Sequence, residues 1–456
     1  MRPAADMAQP IEPRHPHPAA EAPPVVPGRG IVLALNFVPE EVEPGIHAFW
    51  QSASIALQAQ GHSLVIASTT PMDPALNSLP VPYLLTEFTT RYGTSIDLTS
   101  AALPCPLFEL KVQDWYGCDQ TMARTCIQIA SAFLNQIIAA MRPVAVIAWQ
   151  STNPLSQLLL AVARSHSLPT WSAERGWIPH TLMFDVAENN HLSEVGRSLV
   201  AQSLISSYSP GRDELDEMTQ RLLADKSGRY AAAPIQSGAD LRQRLGIAAE
   251  AKVFALFTHG EPFLFAGDGT LAELHGLSRD NYLALFQEIK RYCMQGGHYL
   301  LVQEHPFNRD QPHELSIHGE PGVIALRENV HTLLDAADHA IFTLSTVQAY
   351  AVAYKKSFGI LTKSFLHESE GPYYQGDYSD AHAFMEAIAN GADWPSRHAT
   401  IEKRMAFYLK HFLLDISPDQ ISSSAHRFAS LMKSFERPLR GDLDEAINGF
   451  LQVWAT

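Results

Sequence analysis

The chain has 456 residues, 46% apolar and 18% charged, the balance of a folded protein long enough to bury more than one core. Its 48 acidic residues outnumber its 33 lysines and arginines, and the net charge of −15 argues against a nucleic-acid-binding face. Four cysteines, Cys105, Cys118, Cys126 and Cys293, show no paired spacing, so neither a disulfide framework nor a zinc cluster is expected, and a reducing cytoplasm is the expected setting. No run reaches the ~18 apolar residues of a spanning helix. The start of the chain lacks the basic-then-apolar layout of a secretory signal. Peripheral contact with an inner membrane stays open.

Residues 1–30 are rich in Pro and Ala, lack periodicity and read as a disordered arm. Order is expected from Gly30. Ile31–Phe37 is a strand, Gly45–Gln60 an amphipathic helix closed by Gly61, and Ser63–Ser68 a second strand: a βαβ unit, hence a parallel sheet. Residues 70–118 resist assignment. Thr121–Met141 is a long helix, Val144–Trp149 a strand, and Asn153-Pro154 starts a helix that runs to Arg164. Pro169–Ala173 is a short strand leading to Glu174-Arg175-Gly176-Trp177, and residues 191–224 are helical. The stretch Lys226–Gly238 has linker character.

A second series of strands and helices follows. Asp240–Leu245 is helical, Val253–Phe257 a strand and Asn281–Gln295 a helix ending at Gly296-Gly297. The apolar run Tyr299–Val302 then ends in Gln303-Glu304-His305-Pro306, where Pro306 halts the strand and leaves His305 at its carboxyl end. Val323–Ala325 is a strand, His331–Ala336 a helix and His339–Leu344 a strand that runs into Ser345-Thr346 and a further helical pattern. Phe358–Leu361 is a strand; residues 380–391 and 399–413, Pro418–Phe435 and Leu443–Trp454 are helical. The fold class is therefore α/β with two domains: 31–230 and 231–395, followed by a helical segment, 396–456, that packs back across both.

Ligands of open α/β sheets bind at the carboxyl ends of the strands. There His305 can donate to a phosphate oxygen, and Ser345 and Thr346 open a helix whose free N–H groups suit an anion. His305 and Ser345, on strand ends taken as adjacent, are expected to share one phosphate. Glu174, in a loop bounded by Gly176 and Pro179, is a candidate general acid or base, or else a solvated loop charge or a partner of Arg175. The stretch THGEPFLFAGDGT after Phe257 holds His259, Glu261 and Asp268; a carboxylate there could attack an anomeric carbon or act as a base, and the alternative is an Asp-Gly turn. His180, Asp185 and Asn189 could line an acceptor side, Lys355, Lys356 and Lys363 could add positive potential, and Phe263 and Phe265 could form an apolar wall. Phosphate-loop, HExxH and G-x-S-x-G motifs are lacking and there is no DxD in the apolar context such enzymes use, so a metal-dependent transferase of the DxD kind is not expected.

AERGWIPHTLMFD (173–185), FAGDGT (265–270), QEHPF (303–307) and LSTVQAYAVAYKKSFGIL (344–361) together resemble the capsule-polysaccharide β-Kdo transferases. The likeness spans roughly residues 170–365. It implies two Rossmann-like domains of the GT-B-like plan, with acceptor on the N-terminal side and donor on the C-terminal side. It implies a CMP-Kdo donor, a glycan or glycolipid acceptor and no cofactor or metal. His305, with Gln303, Pro306, Ser345 and Thr346, would bind the donor; Glu174 would serve the acceptor hydroxyl; Asp268 would take Kdo covalently before retaining transfer. Glu261 competes with Asp268 for that role, and a sialyltransferase-like inverting enzyme or a non-catalytic binding subunit are the alternatives.

Overall fold

The structure is a computed structural model; it describes residues 30–434 except 41–42, 83, 93–105, 152, 187–192, 194–195, 197, 226–233, 259–276, 278, 304, 306–319 and 369. Asp268, Glu261, His259, Phe263, Phe265, Pro306 and Asn189, the arm before Gly30 and the expected helix Leu443–Trp454 lie outside the described residues.

The first sheet grows outward from β1 (Gly30–Asn36). On one side stand β2 (His62–Ser68) and β3 (Ser78–Pro80); on the other β4 (Ala145–Trp149) and β5 (Thr170–Arg175), all parallel. Ile31–Leu35 of β1 are apolar without a break because both faces of the strand are covered. Val32 and Ala34 pack under α1 (Pro44–Ala59), whereas Ile31, Leu33 and Leu35 pack against α2 (Leu85–Tyr92), α3 (Pro106–Tyr116), α4 (Gln120–Met141) and α5 (Pro154–Ser165). Helix starts follow their chemistry: Pro44 sits in the first turn of α1, Asp119 accepts from Met122 N at 2.8 Å, and Asn153 accepts from Leu155 N at 2.9 Å.

β5 continues further than its apolar run suggests. It takes in Glu174 and Arg175, then turns back as the antiparallel β6 (Thr181–Asp185), with Glu174 opposite Met183 and Arg175 opposite Leu182. Glu174 is therefore a strand residue of a hairpin, not a loop residue. Among the described residues the expected helix at 191–224 includes α6 (Leu199–Ser207) and α7 (Arg212–Ala224), separated by a break at Pro210-Gly211.

The second sheet repeats the pattern. β7 (Val253–Phe257) is its centre, flanked by β8 (Tyr299–Gln303) and β9 (Val323–Leu326) on one side and by β10 (His339–Phe342), β11 (Ser357–Ile360) and β12 (Tyr373–Tyr374) on the other, all parallel. α8 (Gly238–Arg244) precedes it; α9 (Arg279–Gln295), α10 (Val330–Ala336), α11 (Gln348–Ala353) and α12 (Ala381–Asn390) belong to it. Each sheet thus reverses direction once, between β1 and β4 and between β7 and β10. These are the switch points at which α/β sheets open a crevice.

The chain then returns to the first sheet, as the helical end segment was expected to do. α13 (Trp394–Phe407) leads through a π-helical turn at Tyr408–Phe412 into β13 (Leu414–Asp415), which pairs antiparallel with β6 and becomes the seventh strand of the first sheet. α14 (Ile421–Ser434) lies on α1, with Phe428 edge-on to Phe49 at 5.6 Å and to Trp50 at 6.1 Å. Among the described residues no helix is long and apolar enough to cross a membrane.

Candidate functional site

Three threonines finish the second sheet at its carboxyl edge. Thr258 follows β7, Thr343 follows β10 and Thr362 stands two residues beyond β11. Each hydroxyl donates to a carbonyl at the end of the neighbouring strand: Thr258 to Gln303 (3.1 Å), Thr343 to Phe257 (3.2 Å) and Thr362 to Thr343 (2.7 Å). β-branched residues with a hydroxyl suit such an edge, because they keep extended backbone while adding a side-chain donor to the carbonyls at the strand ends. Nothing in the apolar pattern marks them out beforehand, since each reads as the first polar residue after a strand.

His305 hangs from this edge. Its N–H donates to Thr258 Oγ1 at 3.0 Å, and the residue is half-exposed. Gln303 turns the other way: its Nε2 donates to the Glu328 carbonyl and its Oε1 accepts the Glu328 N–H, both at 3.1 Å, which clamps β8 to the end of β9. Its amide, expected at the donor, is thus engaged on both sides with backbone. Pro306 lies outside the described residues.

His305 and Ser345 are not on adjacent strands. β8 and β10 both pair with β7, which runs between them, so at ~4.8 Å per strand the two chain ends are ~10 Å apart. The expected helix start is also shorter than its sequence suggests. β10 ends at Phe342, the helix proper begins at Gln348, and it has six residues. Ser345 Oγ accepts from Val347 N at 3.2 Å, and Thr346 O accepts from Ala349 N at 3.1 Å; both residues are half-exposed.

Glu174 occupies the matching edge of the first sheet. Ala173 pairs with Trp149, the last residue of β4, so Glu174 stands one step beyond it at the carboxyl end. Its Oε1 accepts the N–H of Arg175 at 3.0 Å, and Arg175 forms an ion pair with Glu43, which precedes α1. Past Arg175 the hairpin turns. Gly176 N donates to Thr181 O at 2.8 Å, and a Cβ on Gly176 would lie 1.9 Å from Thr181 Oγ1, so only glycine fits there. Trp177 then reaches across to the second sheet and stacks on Phe365, five residues beyond β11, with ring centroids 3.8 Å apart and planes 6° from parallel. Tyr408 meets Trp177 edge-on at 4.8 Å. The carboxyl edges of the two sheets therefore adjoin, joined at this stack.

Charges behind the seam are committed. Arg404 of α13, 1% exposed, pairs with Glu368, donates to Gln202 of α6 at 3.0 Å and to the Tyr408 hydroxyl at 2.8 Å. Burial pushes the Glu368 carboxyl up, with Arg404 pulling it back. Burial also lowers the His367 imidazole, aided by Lys363.

The secondary candidates separate. Lys363 lies at the carboxyl edge, three residues after β11. Lys355 and Lys356 precede β11 and so belong to the opposite edge, where Lys356 Nζ donates to Ala337 O at 2.7 Å and burial lowers its pKa. They add no potential to the site. Asp185 is opposite Ser172, inward from the edge, and fully buried, which removes it from an open acceptor surface. His180 is exposed in a left-handed turn (φ 58°), and its carbonyl accepts from Arg221 Nη2 and Ile416 N. Among the described residues no group of three or more His, Cys, Asp or Glu is placed to hold a metal ion.

No protein-family model matches the chain, and no curated relative does. Solved structures do. An S. aureus MnaA–UDP co-structure aligns over 91% of this chain and 98% of its own, at 10% identity and a TM-score of 0.40. Thermosulfurimonas dismutans KpsC, a beta Kdo 2,4 transferase, aligns over 58% of this chain and 79% of its own, at 18% identity and a TM-score of 0.39. A Neisseria meningitidis UDP-GlcNAc 2-epimerase bound to UDP-GlcNAc aligns over 88% and 99%, at 10% identity and a TM-score of 0.35. TM-scores this low leave the chemistry to be argued from the chain's own residues.

Proposed function

We propose that the chain is a glycosyltransferase that moves Kdo or a related ulosonic acid from a CMP donor to a glycan or glycolipid acceptor. The observation that supports this most is the joining of two switch-point edges at the Trp177–Phe365 stack, with Glu174 on one edge and His305, Ser345 and Thr346 on the other. A transfer reaction needs such a pair of edges, one for an activated donor and one for the group that takes it. The motifs around residues 174, 268, 305 and 345 add the sugar and the nucleotide to the reading.

In this reading His305, Ser345 and Thr346 hold the donor phosphate from the two sides of β7, a span wide enough for a phosphate with its sugar rather than for one oxygen. Gln303, clamped to the Glu328 backbone, supports the strand end from behind. The Asp268 carboxylate attacks the anomeric carbon as the bond to the CMP phosphate breaks. Glu174 then takes the proton of the acceptor hydroxyl, whose oxygen attacks the same carbon and releases Asp268. Two inversions give net retention. A glycolipid acceptor would bring the protein to the cytoplasmic face of the inner membrane.

The test is CMP release from CMP-Kdo, and from CMP-sialic acid, by the wild-type chain and by Glu174→Ala and Asp268→Ala. Loss of either acid is expected to cost about 10²–10⁴ in rate. A mass increase of one Kdo on Asp268 in Glu174→Ala is expected if retention holds. Turnover without an adduct, with Glu174 essential, means an inverting enzyme. Unchanged turnover in both variants refutes the site, and CMP affinity without any product means a binding subunit.

A further inference from the structure

We propose that Trp177 is a positioning residue: through its stack on Phe365 it ties the Glu174 strand to the donor-side edge of the second sheet. The proposal rests on the transferase reading for its consequence, though not for its geometry.

Glu174 and Trp177 are three residues apart on a turn that cannot flex independently. Thr181 leaves no space at Gly176, and its hydroxyl donates to Ile178 O at 2.6 Å. The far side of the turn is pinned by Arg221, which donates to the Pro179 carbonyl at 2.9 Å and the His180 carbonyl at 3.0 Å while paired with Asp415. The near side is pinned by Arg175 on Glu43. A shift of the indole is therefore a shift of the Glu174 carboxylate.

The other half of the path begins at Phe365. Ser364, beside it, donates its hydroxyl to Gln348 Oε1 at 2.8 Å. Gln348 is fully buried and opens α11, two residues beyond Thr346. Ser345 O accepts the Gln348 N–H, Gln348 accepts from Ser364, Phe365 follows Ser364 and stacks on Trp177, and the short chain Arg175-Gly176 joins Trp177 to Glu174. Such a contiguous route between the two edges is physical, and coupling along it is measurable. A stack serving only as glue between the sheets would lower stability and leave the chemistry of folded molecules unaltered.

The experiment uses the full chain and the variants Trp177→Ala, Phe365→Ala, the double variant and the conservative Trp177→Phe. Amide exchange across residues 170–185 of the ligand-free protein is expected to rise about tenfold in both single alanine variants and no further in the double variant. Unchanged or additive exchange overturns the coupling, whatever the substrate proves to be. With CMP-Kdo and water as acceptor, kcat is expected to fall roughly tenfold to a hundredfold, because small misplacements of a reacting group cost that much. KM for CMP-Kdo and CMP affinity by calorimetry should stay within about twofold, and Trp177→Phe should recover most of the rate. A fall in kcat/KM carried wholly by KM, or wild-type kcat in Trp177→Ala, overturns the positioning role. A wild-type chain that releases no CMP refutes the transferase reading instead, and the exchange result then stands on its own.

Discussion

Arg404 offers the sharpest measurement of what holds the two sheets in register. Replacing it by Met keeps the length and apolar stem of the side chain and removes the guanidinium from a site where it is 1% exposed. Glu368 loses its counter-charge and the buried Tyr408 hydroxyl loses its donor. Removing one member of a buried pair costs about 3–5 kcal/mol. A second route to the magnitude agrees. The stranded Glu368 can escape by taking up a proton, and neutralising a carboxyl of ordinary pKa about 4.3 at pH 7 costs about 2.7 × 1.36, or ~3.7 kcal/mol. The orphaned hydroxyl adds about 1 kcal/mol. The same arithmetic fixes the pH dependence. In Arg404→Met the folded-state pKa of Glu368 lies above its unfolded value, so the folded state gains protons and its relative stability improves as pH falls. At pH 5 the Glu368 contribution shrinks to about 1 kcal/mol. Urea unfolding followed by tryptophan fluorescence should show a loss of ~4–5 kcal/mol at pH 7 and ~2 kcal/mol at pH 5. Arg404→Met/Glu368→Gln should recover most of it at pH 7. A loss under ~1 kcal/mol, or one that does not vary with pH, refutes the account of the seam.

His339 supplies a second pH signature, of the ordinary sign. Burial against Phe254 pushes its imidazole down to about 4, so it stays neutral in the folded chain while the unfolded chain takes up a proton below about 6.5. The protein should lose up to ~3 kcal/mol as pH falls through that window, and His339→Phe should remove that portion of the slope in urea titrations. Gly238→Ala places a methyl 2.4 Å from the backbone of Asp335 and Ala336, which cannot rotate away, and is expected to cost more than ~3 kcal/mol. Ser237→Ala beside it loses the cap to Asp240 N and the exposed hydroxyl bond to Asp240 Oδ2, and should cost ~1 kcal/mol; equal losses in thermal melts would refute the steric argument. His305→Ala should raise KM for CMP-Kdo more than it lowers kcat, since the reading gives it a binding contact rather than a proton to move. A pure kcat effect in steady-state assays would reverse that role.

Most of the architecture was legible because both sheets are predominantly parallel. Buried parallel strands such as Ile31–Leu35 and Val253–Phe257 are unbroken apolar runs, and helices such as α5 announce themselves with Asn153-Pro154. What escaped was antiparallel or short. β6 and β13 lie toward one edge, and each depends on a partner strand, β5 for β6 and β6 for β13, rather than on local pattern. β5 was cut short at Ala173 because Glu174 and Arg175 are charged; they extend the strand past the end of β4, where β6 is the strand still paired with it. At the site, the sequence identified which residues end the strands but not the strand order, so His305 and Ser345 were taken as neighbours when β7 divides them. Gln303 looked like part of a binding motif because its partner, the Glu328 backbone, is 25 residues away. Trp177 left no signal except its place next to Glu174; its partner is 188 residues further on, and no periodicity reports such a contact.

The last strand of the first sheet, β13, is also a constraint on biogenesis. Residues 30–185 emerge from the ribosome with β6 as an open rim and the aromatic cluster of Phe49, Trp50 and Phe184 awaiting Phe428. More than two hundred residues, including the whole second sheet, are synthesised before the chain supplies Leu414–Asp415 and α14 to cover them. The N-terminal half therefore matures last although it is made first, and severing the chain ahead of residue 414 leaves a sticky, strand-accepting edge in place of a finished module.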